Sequence, residues 1–138
     1  LYHSQDGGNT FFSCDLKGGW LSEKKSAVAL DPEDPNTVIM AGGGGLFISR
    51  DNCENFTKVM EVDTDYINSV VFNPKDPRWI YAATDAGVYL SSDGGENWGQ
   101  INDGLLGALT VYELAIDPRN TNDIYAISAY GLFKLEEK

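Results

Sequence analysis

The sequence predicts an all-β chain made of repeated four-stranded antiparallel units, and three observations carry that prediction. One short motif recurs three times, as Ser4-Gln5-Asp6-Gly7-Gly8-Asn9-Thr10-Phe11, Ser49-Arg50-Asp51-Asn52-Cys53-Glu54-Asn55-Phe56 and Ser91-Ser92-Asp93-Gly94-Gly95-Glu96-Asn97-Trp98, at spacings of 45 and 42 residues. A period of that size belongs to stacked or radially repeated units. A second motif, Leu30-Asp31-Pro32, Phe72-Asn73-Pro74 and Ile116-Asp117-Pro118, keeps step with the first. No stretch of ten or more residues shows an apolar period of 3.6, so helix content is expected near zero.

Each unit reads as four short strands bounded by Gly, Pro, Asn and Asp clusters. Strand A is expected at Ala27 to Leu30, Asn68 to Phe72 and Val111 to Ile116. In it, Val28, Leu30, Val70, Phe72, Leu114 and Ile116 point one way and Ala29, Val71 and Ala115 the other. Such alternation of large and small residues suits an inner strand buried from both sides. Strand B follows the polar turn after each Pro, as Val38-Ile39-Met40-Ala41, Ile80-Tyr81-Ala82-Ala83 and Ile124-Tyr125-Ala126-Ile127. Strand C is Gly45-Leu46-Phe47-Ile48, Gly87-Val88-Tyr89-Leu90 and Gly131-Leu132-Phe133-Lys134, and strand D follows the Ser-x-Asp motif.

Four-stranded units of about 42 to 46 residues arranged around an axis are blades of a β-propeller. The Ser-x-Asp-x-Gly-x-x-aromatic motif resembles the Asp-box, or BNR repeat, of sialidases, sortilin-like receptors, xyloglucan-degrading glycoside hydrolases and photosystem II assembly factors. The resemblance spans the chain, and it implies a single partial propeller domain over residues 1–138 with repeats at 1–16, 26–60, 67–102 and 111–138. It also implies structural rather than catalytic roles for Ser4, Asp6, Gly8, Phe11, Ser49, Asp51, Phe56, Ser91, Asp93, Gly95 and Trp98. An Asp carboxylate accepts backbone N–H bonds in the hairpin between strands C and D, Gly adopts positive φ, and the aromatic pins the turn to the sheet. The middle copy has Asn52-Cys53 for Gly-Gly and is expected to be the most distorted, because Cys tolerates a left-handed backbone poorly.

The phase of the repeats starts and ends in mid-blade, giving two full blades and two partial ones. Three blades do not close a ring, so a portion of a ring of six or more blades is expected. The remaining blades would come from the same longer chain or from a homodimer. The longer chain is favoured, because in a twofold dimer both ends would supply strand C to the joint blade.

Charge narrows the partners. A net charge of -11, from 21 acids against 10 bases, disfavours nucleic acid and anionic membrane. No run of about 18 apolar residues is present, so no membrane insertion by a helix is expected. An extracytoplasmic or secreted location is what the family resemblance favours. Cys14 falls in strand D of the first unit and Cys53 in the turn of the second, at different expected heights, so no disulfide is expected. The Asn55-Phe56-Thr57 glycosylation pattern lies inside an Asp-box.

By analogy with propellers, ligands are expected on the face opposite the Asp-boxes, formed by the D-to-A and B-to-C connections. The former are Lys17 to Lys25, Glu61 to Tyr66 and Asn102 to Thr110; the latter are Gly42 to Gly45, Thr84 to Gly87 and Ala129 to Gly131. Trp20, Tyr66, Leu105, Leu106 and Tyr130 are the candidate binding residues, with Asp63, Asp65, Asp85 and Asp103 nearby. Rings beside acids suit a carbohydrate or protein ligand.

A non-catalytic binding or assembly scaffold is the reading these features favour, with part of a secreted xyloglucanase-like glycoside hydrolase as the alternative. That enzyme would need two facing carboxylates, for which Asp63, Asp65 and Asp85 are the candidates. A sialidase would need an arginine cluster, whereas Arg50, Arg78 and Arg119 all fall on the Asp-box side. His3, the only histidine, shows no nucleophile partner in the sequence. No Cys/His metal spacing or phosphate loop is present, and no cofactor or metal is expected. Glu61-x-Asp63-x-Asp65 begins like a calcium loop, but an EF-hand wants Gly where Tyr66 stands and Glu where Phe72 stands.

Overall fold

The computed structural model describes residues 1–14, 27–42, 44–61, 66–103, 105 and 110–136. Among these residues every regular element is a β-strand, and the strands form four antiparallel sheets. β1 (Tyr2–His3) pairs with β2 (Phe12–Ser13). β3 (Ala27–Leu30), β4 (Val38–Gly42), β5 (Gly45–Ser49) and β6 (Thr57–Met60) form a four-stranded meander in chain order. β7 (Ile67–Phe72), β8 (Ile80–Thr84), β9 (Gly87–Ser91) and β10 (Gly99–Gln100) repeat it, and β11 (Val111–Ile116), β12 (Asp123–Ser128) and β13 (Gly131–Glu136) make a three-stranded sheet. These sheets are propeller blades: the inner strands β3, β7 and β11 lie side by side, and each sheet faces the next.

Burial between consecutive sheets explains the order of the blades. Ile39, Ala41, Leu46 and Met60 of the first full blade pack against Ile67, Val70, Phe72, Ile80 and Ala82 of the second. Tyr81, Ala83 and Val88 on the other face of the second blade pack against Val111, Leu114, Ile124, Ala126 and Leu135. β8 therefore feeds alternate residues into two cores, which is why its first four residues are an unbroken apolar run and the strand is buried at every position. Leu1 and Cys14 of the partial blade pack with Val38, Cys53 and Phe56.

Burial of strand A from both sides holds only for β7. Val28 and Leu30 of β3 are 53% and 66% exposed, and Ala115 of β11 is exposed. The reason is position in the arc. β1 and β2 supply only outer strands to the partial blade, so Val28 and Leu30 of β3 border an open cleft shared with Leu1, Tyr2 and His3 instead of a packed inner strand.

The A-to-B turns repeat one hydrogen-bond plan. Asp31 Oδ1 accepts from the Glu33 and Asp34 amides, Asn73 Oδ1 from Lys75 and Asp76, and Asp117 Oδ1 from Arg119. Arg78 and Arg119 fold back onto Asp76 and Asp117, at 2.7 and 3.1 Å. They meet the Asp-box side, where the Gly94 amide donates to the Arg78 carbonyl and Arg50 Nη2 reaches the Gly94 carbonyl of the next blade.

Candidate functional site

The Asp-box side of the molecule is committed to turn construction. In all three boxes the Ser hydroxyl donates to the Asp carboxylate at 2.8 Å. The same hydroxyl accepts the amide of Gly8, Cys53 or Gly95, and the carboxylate accepts the amide of Thr10, Asn55 or Asn97. The second carboxylate oxygen takes Thr10 Oγ1, Asn55 Nδ2 or Asn97 Nδ2. These bonds hold all three carboxyls at about 2, from an ordinary 3.8: the Thr10 hydroxyl is the largest cause at Asp6, the Asn55 side chain at Asp51 and the Asn97 amide at Asp93.

The middle turn corrects the expectation of distortion. Asn52 and Cys53 take φ of 58° and 71°, close to Gly7 and Gly8 at 72° and 91° and to Gly94 and Gly95 at 77° and 95°. The shared bonds from Ser49 and Asp51 impose the geometry, and Cys53 carries the backbone strain instead of relieving it. The aromatic of the first box also departs from its expected role. Trp98 and Phe56 pack towards the preceding blade, whereas Phe11 is 63% exposed because no described blade precedes it.

On the opposite face, three two-residue B-to-C hairpins are aligned by their registers, Gly42 with Gly45, Thr84 with Gly87 and Ser128 with Gly131. Thr84 Oγ1 accepts the Ala86 amide and donates to the Gly87 carbonyl. Asn102, just past β10, clamps the second hairpin: its Oδ1 accepts the Val88 amide at 2.9 Å and its Nδ2 donates to the Ala86 carbonyl at 3.1 Å. Gly87, at φ 110°, lies so close beneath Asn102 that a Cβ would run into that amide.

A cross-blade tie stands beside this hairpin. β7 shifts register between Ile67 and Ser69, and β11 does so between Val111 and Glu113. Asn68 lies at the first irregularity, and its Nδ2 donates to Asp85 Oδ1 in the B-to-C hairpin of its own blade at 3.0 Å and to the Val111 carbonyl of the next blade at 2.8 Å. Ser69 Oγ donates to Glu113 Oε1 at 3.2 Å and accepts the Leu114 amide. The sequence signal for this tie is the polar pair Asn68-Ser69 interrupting an otherwise apolar inner strand.

Of the candidate ligand residues, Tyr130 occupies the third hairpin and is 76% exposed, and Tyr66 is half-buried with its carbonyl facing the Asp85 amide. Leu105 corrects the expectation of a surface patch: it is 6% exposed and belongs to the core between the second full blade and the three-stranded sheet. Trp20, Asp63, Asp65 and Leu106 lie outside the described residues.

A third grouping has no sequence signature. His3, Cys14 and Cys53 come together between the partial blade and the first full blade, with one donor atom of each within 4.8 Å of the others. This overturns the expected difference in height of the two cysteines and gives His3 a sulfur neighbour, Cys14 Sγ, at 3.5 Å from Nδ1. Strand D of one blade ends level with the Asp-box turn of the next, a relation set by blade stacking and invisible in the spacing.

The Sortilin-Vps10 profile (sortilin, neurotensin receptor 3) matches residues 1–130. The chain belongs to the Sortilin-Vps10 family. No curated protein gives a significant sequence match. Among solved structures, the GH74 xyloglucanase from Xanthomonas campestris superposes on this Sortilin-Vps10 chain with a TM-score of 0.67 at 18% identity, over 80% of this chain and 22% of that one. An ancestral GH74 enzyme gives 0.61 at 25% identity, over 72% and 16%. YCF48 bound to a D1 peptide gives 0.60 at 16% identity, over 93% and 41%. The chain thus spans from 16% to 41% of the length of these proteins.

Proposed function

We propose that this chain is part of a non-catalytic binding propeller that receives a protein segment on the face carrying the B-to-C hairpins. The observation that supports this most is the use of the acids beside that face. Asp85 accepts from Asn68, which also reaches the Val111 carbonyl of the next blade, and Glu113 accepts from Ser69 across the blade interface, so the first carboxylate braces its own hairpin and the second ties adjacent blades. A rigid rim carrying the exposed ring of Tyr130 suits contact with an extended chain, in which an aromatic anchor supplies area at little entropic cost. YCF48, a structural neighbour, is bound to a D1 peptide, which supports an extended peptide as the ligand class. The remaining blades are proposed to come from the same longer chain.

The test is calorimetric titration of the intact protein with an array of extended synthetic peptides and, in parallel, with xyloglucan oligosaccharide. Peptide binding weakened on the order of tenfold by Tyr130→Ala, with no sugar release, is the expected result.

A second reading is favoured by the 25% identity with the ancestral GH74 enzyme. In that case the intact protein would cleave xyloglucan with Asp85 and either Asp63 or Asp65 as its carboxylate pair. Release of reducing ends that is abolished by Asp85→Asn would establish it and overturn the first.

A further inference from the structure

The geometry points to a zinc site between the partial blade and the first full blade, with the thiolates of Cys14 and Cys53 and the imidazole of His3 as ligands. The three donors fit such an ion in kind and in spacing. A tetrahedral zinc holds sulfur at about 2.3 Å and nitrogen at about 2.0–2.1 Å, which sets the two roughly 3.6 Å apart. Cys14 Sγ and His3 Nδ1 are 3.5 Å apart, and Cys53 Sγ completes the set within 4.8 Å.

The internal repeat shows that these residues replace a plain apolar contact. Counting along each Asp-box, His3 matches Ile48 and Leu90, Cys14 matches Val59 and Ile101, and Cys53 matches Gly8 and Gly95. At the next interface a Cβ on Gly95 would sit 3.8 Å from Val59 Cγ2, ordinary van der Waals contact, so the position facing strand D has room for a side chain. Only the first interface puts a side chain there, and it does so at φ 71°, a strained conformation for Cys. A conformation that suits Gly is thus occupied by a thiol aimed at another thiol and an imidazole. Apolar packing with Val38 and Phe56 accounts for a side chain at this position, and metal ligation accounts for its being a thiol beside a second thiol and an imidazole.

Both sulfurs are buried. Burial, and then the neighbouring Cys14 thiol, push the Cys53 thiol up to about 12, so without a cation it stays protonated and a weak nucleophile for disulfide exchange. Zinc binding would displace a proton from each thiol: the two S–H bonds give way to two Zn–S bonds and two protons leave to solvent, with no change of oxidation state. His3 and Cys53 also line a cleft of about 520 Å³ with Gln5 and Asn52, which leaves room for water as fourth ligand.

The test is cobalt titration of the intact protein after chelator treatment, under reducing conditions, read by the sulfur-to-cobalt charge-transfer absorption. One equivalent per chain is expected, bleached by zinc, with affinity falling about a hundredfold per pH unit on acidification as two protons compete. Cys53→Gly and Cys14→Val restore the residues found in the adjacent repeats, so the fold should persist by circular dichroism. Each should weaken cobalt binding by on the order of 100-fold or more. An unchanged band in both variants, or no band in the parent protein with both thiols free, would overturn the site. So would a Cys14–Cys53 disulfide and no zinc in protein isolated without reductant, an outcome that assigns the pair a redox role instead.

Discussion

Asp6, Asp51 and Asp93 each accept the amide four residues on, and Asp117 is gripped by Arg119; all four carboxyls are lowered to about 2. A carboxyl lowered in the folded state gives stability that is present above its unfolded value and is lost as pH falls through its folded value. Denaturant midpoints should therefore hold steady from neutrality to about pH 4 and decline towards pH 2, and a flat profile across that window would contradict these turn roles. Asp93→Asn should flatten the decline in part, measured as the same midpoint series. The Ser-x-Asp spacing makes this chemistry legible from sequence, since the residues that bond are four apart or fewer. The conformation of Cys53 was not legible: propensity disfavours it there, and the Ser49 and Asp51 bonds override propensity.

At the scale of the element, the B-to-C hairpins depend on glycine where strand D passes overhead. Gly87→Ala should cost about 2 to 4 kcal/mol by urea unfolding, through positive φ and the lost Asn102 clamp, whereas Gly131, with open space around it, should tolerate alanine at about 1 to 2 kcal/mol. Ile80 is fully buried in β8, and Ile80→Ala should cost about 2 to 5 kcal/mol. Asn68→Ala, which unties Asp85 and Val111, should cost about 1 to 3 kcal/mol. Equal effects at Gly87 and Gly131 would contradict the clamp. Strand positions were readable because apolar runs and turn residues alternate on a short range. The register shift that aims Asn68 was not, because its partners lie 17 and 43 residues away on another strand and another blade.

For the whole molecule, the described blades form an open arc with an apolar face at each end. Tyr2, Val28 and Leu30 mark one, and Tyr112, Ile127 and Leu132 mark the other; all six are exposed. Matching positions within the arc are buried: Ile127 corresponds to Ala83 and Leu132 to Val88. The repeat period made the architecture readable, whereas the proposed ligand face depends on loops whose residues meet only when blades stack, so Leu105 could be taken for a surface residue though it is core. These exposed end faces are predicted to be blade interfaces, like the buried faces between the described blades. The most direct test is the mass of the isolated 138-residue chain by light scattering across a concentration series, alone and with Ile127→Lys plus Leu132→Lys. Mass rising above 15.1 kDa with concentration, and returning towards it in the double variant, is the predicted result. A chain that stays folded at 15.1 kDa at every concentration, with the variant indistinguishable, would contradict it.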